Sequence, residues 1–171
     1  MTKRKWLIRS VMAVSLVTTA LVSWEGMAKE PELYFYPKNK WVVEPVDKKH
    51  DQALPVCAVS NQLNNGYIVQ VAGTMNGMTN INLDFRQDIF EEGTKYEMLY
   101  SVPGQAQKSI PTKAFGESLL VTDLRGAQDL AQKLPEANVM DISIQGNEFR
   151  IYLTGLGAVM DEYTACVTPP A

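Results

Sequence analysis

From residue 56 onward the chain is cut into short apolar stretches by turn signals about every 8 to 14 residues, which excludes long helices and selects short antiparallel strands. The clearest stretch is 80–86, where Ile81, Leu83 and Phe85 alternate with Asn82, Asp84 and Arg86, so that one face is buried and the other wet. Asn65-Gly66 and Asn76-Gly77 supply the positive φ that tight hairpin turns need. Strands are expected at 41–46, 56–60, 67–74, 80–86, 94–102, 108–114, 118–122, 139–144 and 149–154. Helical period interrupts this pattern once in the middle. Asp123 stands as an N-cap before Leu124, Ala127, Leu130, Ala131 and Leu134, and Pro135 ends the run. Near the end, Leu156, Val159, Met160 and Tyr163 predict a short C-terminal helix.

The expected fold is therefore a single mainly β domain over 41–167, an antiparallel β-sandwich or open barrel with one packed α-helix and a short C-terminal helix. Residues 29–40, broken by Pro31 and Pro37, read as an N-terminal arm, and 168–171 as a disordered tail.

The first 28 residues have a different character. Lys3, Arg4, Lys5 and Arg9 precede 11–22, a run of 12 residues without charge, and Gly26-Met27-Ala28 places small residues where a signal peptidase requires them. A permanent span needs about 20 apolar residues. The reading is a signal peptide at 1–28, cleaved after Ala28, which sends the chain to the periplasm or outside the cell. Membrane contact is then expected only through this segment, if it stays uncleaved.

Export changes how the rest is read. The leader holds four of the 16 basic residues and one of the 19 acidic ones, leaving 12 against 18, a formal charge of −6. Such a surface repels phosphate backbones and argues against nucleic acid as a partner. Cys57 and Cys166, in an oxidising compartment and without a Cys-x-x-Cys spacing, are expected to pair as a structural disulfide.

Motifs for chemistry are absent. His50 is the only histidine, there is no Gly-x-Ser-x-Gly elbow, and neither the dinucleotide nor the P-loop glycine pattern occurs. Asp84, Asp88, Glu91 and Glu92 form the densest acidic stretch, but they alternate with apolar residues and lack the calcium-loop spacing, so they read as a solvated edge. Met75 and Met78 could ligate cuprous copper through their thioethers, although two methionines are better read as packing under a loop. Neither an enzyme nor a cofactor or metal site is expected. Tyr34, Phe35, Tyr36 and Trp41 are the candidate partner-binding residues, because aromatics lying outside the sheet are enriched where proteins dock.

The succession Cys57-Ala58-Val59-Ser60, Asn65-Gly66, Leu83-Asp84-Phe85-Arg86-Gln87-Asp88 with Phe90, Gly93 to Tyr96, and Thr154-Gly155-Leu156 leading to Cys166 resembles a group of uncharacterised exported proteins of Gram-negative bacteria, chiefly alphaproteobacteria. That resemblance covers residues 41–166 and implies a periplasmic β-rich fold. It carries over no functional residue.

The leading functional expectation is a non-catalytic periplasmic protein that binds an envelope protein, as an accessory part of a secretion or surface assembly. The alternative is an inhibitor or immunity protein against an envelope hydrolase, inserting a protruding loop at 73–80 or 104–107 into the enzyme's cleft.

Overall fold

The computed structural model describes residues 34–35, 37–46 and 56–168, which lie within the compact unit Pro31–Ala171. Residues 1–33, with the expected signal peptide at 1–28, Tyr36, 47–55 with His50, and the last three residues fall outside the described residues. The strands are β1 (Tyr34–Phe35), β2 (Val42–Pro45), β3 (Cys57–Gln62), β4 (Ile68–Thr74), β5 (Gly77–Asp84), β6 (Lys95–Ser101), β7 (Lys108–Ala114), β8 (Leu119–Asp123), β9 (Val139–Ile144) and β10 (Asn147–Tyr152). All belong to one sheet in the order β1-β10-β9-β6-β7-β8-β5-β4-β3-β2. Every pairing is antiparallel except that of β1, which runs parallel to β10.

Chain length forces this sheet to curl. Ten strands laid flat would span roughly 43 Å at about 4.8 Å per spacing. The two edge strands, β1 and β2, are joined by only the six residues 36–41, which reach at most about 25 Å between Phe35 and Val42. The edges must approach each other, and the sheet is a curled half-barrel. Two contacts show the closure directly. Phe149 of β10 lies 5.6 Å from Phe85, at the end of β5, although four strands intervene in the sheet. The Trp41 indole N–H, just before β2, donates to the Thr154 carbonyl beyond β10 at 3.0 Å.

Inward residues fall into rows set by the register. Val43, Val59, Val71, Ile81, Thr122, Thr112 and Tyr96 follow one another across seven strands. Two hydroxyls thus sit in an apolar row, almost wholly buried, and satisfy each other: Thr122 Oγ1 donates to Thr112 Oγ1 at 2.7 Å, and Thr112 Oγ1 to the Val121 carbonyl at 3.1 Å. Valine at 112 alone strands the Thr122 donor and is expected to cost about 1–3 kcal/mol. Valine at both positions keeps the shape and removes both polar groups, so most of that loss should return. Urea unfolding of the single and double variants checks this; a double variant no more stable than the single one rules out the hydroxyl pair as the cause.

Pro111 occupies β7, an interior strand, without breaking it. Pairing of β7 with β8 begins only at Thr112, so the missing N–H removes no bond on that side. Between β8 and β9 the expected helix 124–134 is split. Leu124–Gly126 is a 3-10 turn capped by Asp123, whose side chain accepts from the Arg125 N–H, and α1 (Gln128–Lys133) follows after Ala127 at φ −134° and ψ 57°. The break still turns Leu124, Leu130 and Leu134 into the core, where all three are fully buried. The C-terminal helix is a 3-10 turn (Gly157–Val159) running into α2 (Met160–Val167).

As expected, α2 delivers Cys166 to Cys57 at the start of β3, with Cα atoms 6.1 Å apart in a disulfide. The same helix presses Tyr163 against Gly73, where β4 is bulged. A Cβ at residue 73 would lie under 3.0 Å from the Gly77 carbonyl oxygen, the Tyr163 hydroxyl and the Met78 Cα, so only glycine fits.

Candidate functional site

Of the aromatic candidates, Tyr34, Phe35 and Trp41 lie among the described residues. Trp41 is 5 % exposed, its indole N–H is satisfied at Thr154, and its ring lies over Gly155. A large amphipathic side chain at the junction of the two sheet edges gains more from burial than from solvent. The arm is corrected in part. Tyr34–Phe35 is an edge strand of the sheet, in register with Arg150 and Ile151, rather than a segment outside it. Pro37 bridges Leu63, and Asn61 Nδ2 donates to the Asn39 carbonyl at 2.7 Å, so 37–40 runs along the end of β3. Tyr36 lies outside the described residues.

The structure gathers a different set of aromatics at one end of the half-barrel. Hairpin register places Tyr67, before β4, beside Phe85, after β5, and the antiparallel order brings the start of β6 and of β10 to the same end. Phe85 is the hub, with ring centroids 5.1 Å from Tyr67, 5.3 Å from Phe90 and 5.6 Å from Phe149. Phe90 continues the array to Tyr96 at 5.4 Å. The contacts are edge-on or tilted, the arrangement that ring quadrupoles favour. Phe85 and Phe90 are themselves buried in the core, and Leu63, Tyr67, Ile68, Val69, Leu83, Asp84, Phe149 and Ile151 leave only a small, largely filled apolar depression beside them, which β1 borders through its pairing with Ile151.

Asp84 is the one carboxylate in that lining, and its oxygens are engaged. It accepts from the Arg86 N–H at 2.9 Å and from Ser118 Oγ at 3.0 Å, and pairs with Arg86 Nε at 3.2 Å. Arg86 adopts a left-handed φ of 55°, rare for a side chain with a Cβ, and the turn held by Asp84 compensates for it. The remaining acids of this stretch, Asp88, Glu91 and Glu92, do not join it: among the described residues no three His, Cys, Asp or Glu side chains lie close enough to hold a metal ion. Met75 is 55 % exposed while Met78 is buried in the core, so the two thioethers do not converge. The segment 73–80 is a hairpin closed by the two residues Met75 and Asn76, and the β6–β7 connection, which contains 104–107, is six residues long.

Folding displaces several titrations at the other end. Burial raises the pKa of Tyr163, whose hydroxyl donates to the Thr74 carbonyl at 3.4 Å. Burial also raises that of Tyr100, helped by the charge of Asp129 and opposed by Lys108. Both phenols keep protons that the unfolded chain releases near pH about 10, so their contribution to stability is whole below that pH and is lost as pH rises through the folded values. In acid the sign reverses. The Lys108 ammonium lowers Asp129 and the Arg125 guanidinium lowers Asp123 through hydrogen bonds, so their contribution is whole above about pH 4 and is lost below it. Those two pairs are exposed to solvent, which keeps the acid loss small. Melting temperature followed from neutral pH upward should fall past about pH 10, and Tyr163→Phe should flatten that fall. An unchanged alkaline slope in the variant rules Tyr163 out as its source.

No protein-family model, curated protein or solved structure matches this chain.

Proposed function

We propose that this chain is an exported, non-catalytic protein of the cell envelope that binds another envelope protein at the aromatic end of its sheet. The observation that carries the reading is the short edge strand Tyr34–Phe35, which ends the sheet beside the buried aromatic array centred on Phe85. A sheet edge of this kind offers main-chain groups to the backbone of a partner strand, and the packed rings behind it hold that edge in place. We further infer that the curled sheet is an open barrel, with the Cys57–Cys166 disulfide holding its β3 side in an oxidising compartment.

Two measurements test this. Under non-reducing conditions the protein recovered from the envelope should begin at Lys29 and weigh two hydrogens less than the reduced chain; retention of Met1, or two free thiols, overturns the export argument. Affinity capture from envelope extracts should then retain a defined partner that is lost from a variant carrying Tyr34→Ser and Phe35→Ser. A variant that still melts cooperatively and keeps the partner removes β1 from the binding site. The failure of the wild-type protein to retain any specific partner sinks the reading itself.

A further inference from the structure

The rim of the aromatic end carries a second feature that gives the partner a chemical character. Two loops meet there, 85–94 between β5 and β6 and 115–118 between β7 and β8. Backbone bonds lock them together: the Ile89 and Phe90 N–H groups both donate to the Glu117 carbonyl at 2.9 Å, and the Phe85 N–H donates to the Ser118 carbonyl at 2.9 Å. Six large apolar side chains among the described residues are strongly exposed, and this loop pair holds two of them, Ile89 at 44 % and Phe115 at 58 %. Isolated apolar side chains on a surface need no explanation, but two on one locked loop pair mark a contact surface.

Charge around this pair is unbalanced. Asp88, Glu91, Glu92 and Glu117 are exposed, and among the described residues none of them forms an ion pair. Of the cations near by, Arg86 pairs with Asp84, the Lys113 ammonium lies 5.1 Å above the Phe115 ring, and Lys95, at the start of β6, is exposed and forms no ion pair among the described residues. Asp88, Glu91, Glu92 and Glu117 against Lys95 and Lys113 leave the loop pair net negative, and exposed apolar side chains in such a field are complementary to apolar side chains flanked by positive charge.

The geometry points to a basic partner: the rim formed by Ile89, Phe115, Asp88, Glu91, Glu92 and Glu117 docks a cationic protein segment that interleaves apolar side chains with lysine or arginine. The acidic ring steers the encounter and sets its salt dependence, and the two apolar side chains hold the complex once formed. This inference rests on the reading of the chain as a binding protein and adds the chemistry of what it binds.

The test uses the chain from Lys29 onward and a labelled peptide of alternating leucine and lysine, with its leucine and glutamate counterpart as the control. The lysine peptide should bind, lose at least tenfold in affinity when salt is raised severalfold, and perturb amide resonances of 86–92 and 113–118. Ile89→Ser with Phe115→Ser, and separately Glu91→Lys with Glu92→Lys, should each weaken it at least tenfold. Glu162→Lys, on exposed α2, should leave it nearly unchanged, and all variants should melt as the parent does. Equal binding of both peptides, equal weakening by Glu162→Lys, or no binding of the lysine peptide overturns the basic-partner inference. Failure here is distinguishable from failure of the broader reading, because capture of an envelope partner that depends on Tyr34 and Phe35 is measured independently.

Discussion

Replacing Cys57 and Cys166 together with alanine is expected to lower the free energy of unfolding by about 4 kcal/mol, within the roughly 2–5 kcal/mol that native disulfides contribute to small exported domains. The two cysteines are 109 residues apart, so the cross-link closes most of the chain from residue 29 onward into one loop. In the chain-entropy account a loop near that length restricts the unfolded ensemble by about 4–5 kcal/mol. Little should change in the folded state. Cys57 is fully buried at the start of β3, and α2 is also anchored by Tyr163 and Val167, which are packed in the core. Against a total stability of about 5–15 kcal/mol this is a large share, and the melting temperature should drop by roughly 10 to 20 °C. Wild-type protein in reductant should match the double variant, and the urea m-value of both should rise because the unfolded chain expands. A variant within about 1 kcal/mol of the oxidised parent would show that α2 and the sheet edges already restrain the unfolded chain.

The elements that sequence made legible are those with local causes. Strand alternation placed β7 and β9 with their observed bounds, 108–114 and 139–144, because each residue's facing follows from its neighbours alone. Gly66 and Gly77 have the positive φ expected of them, at 92° and 112°, while the asparagines before them do not, so each turn needs one left-handed residue rather than two. The split at Ala127 was not legible, since Leu124 to Leu134 keeps a helical apolar spacing whether or not the backbone breaks inside it. The aromatic end was hidden for a different reason. Tyr67, Phe85, Tyr96 and Phe149 belong to four separate strand ends, and their convergence depends on β6 pairing with β9 and on the sheet curling, which no local pattern encodes. Local pattern exposes only aromatics that are adjacent in the chain, such as Tyr34 to Tyr36. The fold brings together those adjacent in register.

Trp41→Ala is expected to cost about 3–5 kcal/mol, the range for removing a buried large aromatic side chain. Its neighbours show why. The indole is 5 % exposed, donates to Thr154 at 3.0 Å, and has its Cδ1 atom 3.5 Å from where a Cβ of Gly155 would stand. It therefore ties the start of β2, at one edge of the sheet, to the turn after β10, near the other edge, across the gap spanned by 36–41. Trp41→Phe should keep most of the packing and lose the hydrogen bond, at about 0.5–1.5 kcal/mol. In the chain from Lys29 onward, Trp41 is the only tryptophan, since Trp6 and Trp24 lie within 1–28. Its emission there should be that of a buried indole and shift to the red on unfolding, giving a direct probe of this junction. Hydrogen exchange at Val42 to Glu44 should rise in the alanine variant before exchange in the β4–β5 hairpin does, because the edges separate first. The same variant distinguishes the two readings of this residue. A partner-facing tryptophan would lose binding at constant stability, whereas an edge clasp loses stability, and with it any binding that needs β1 held against β10.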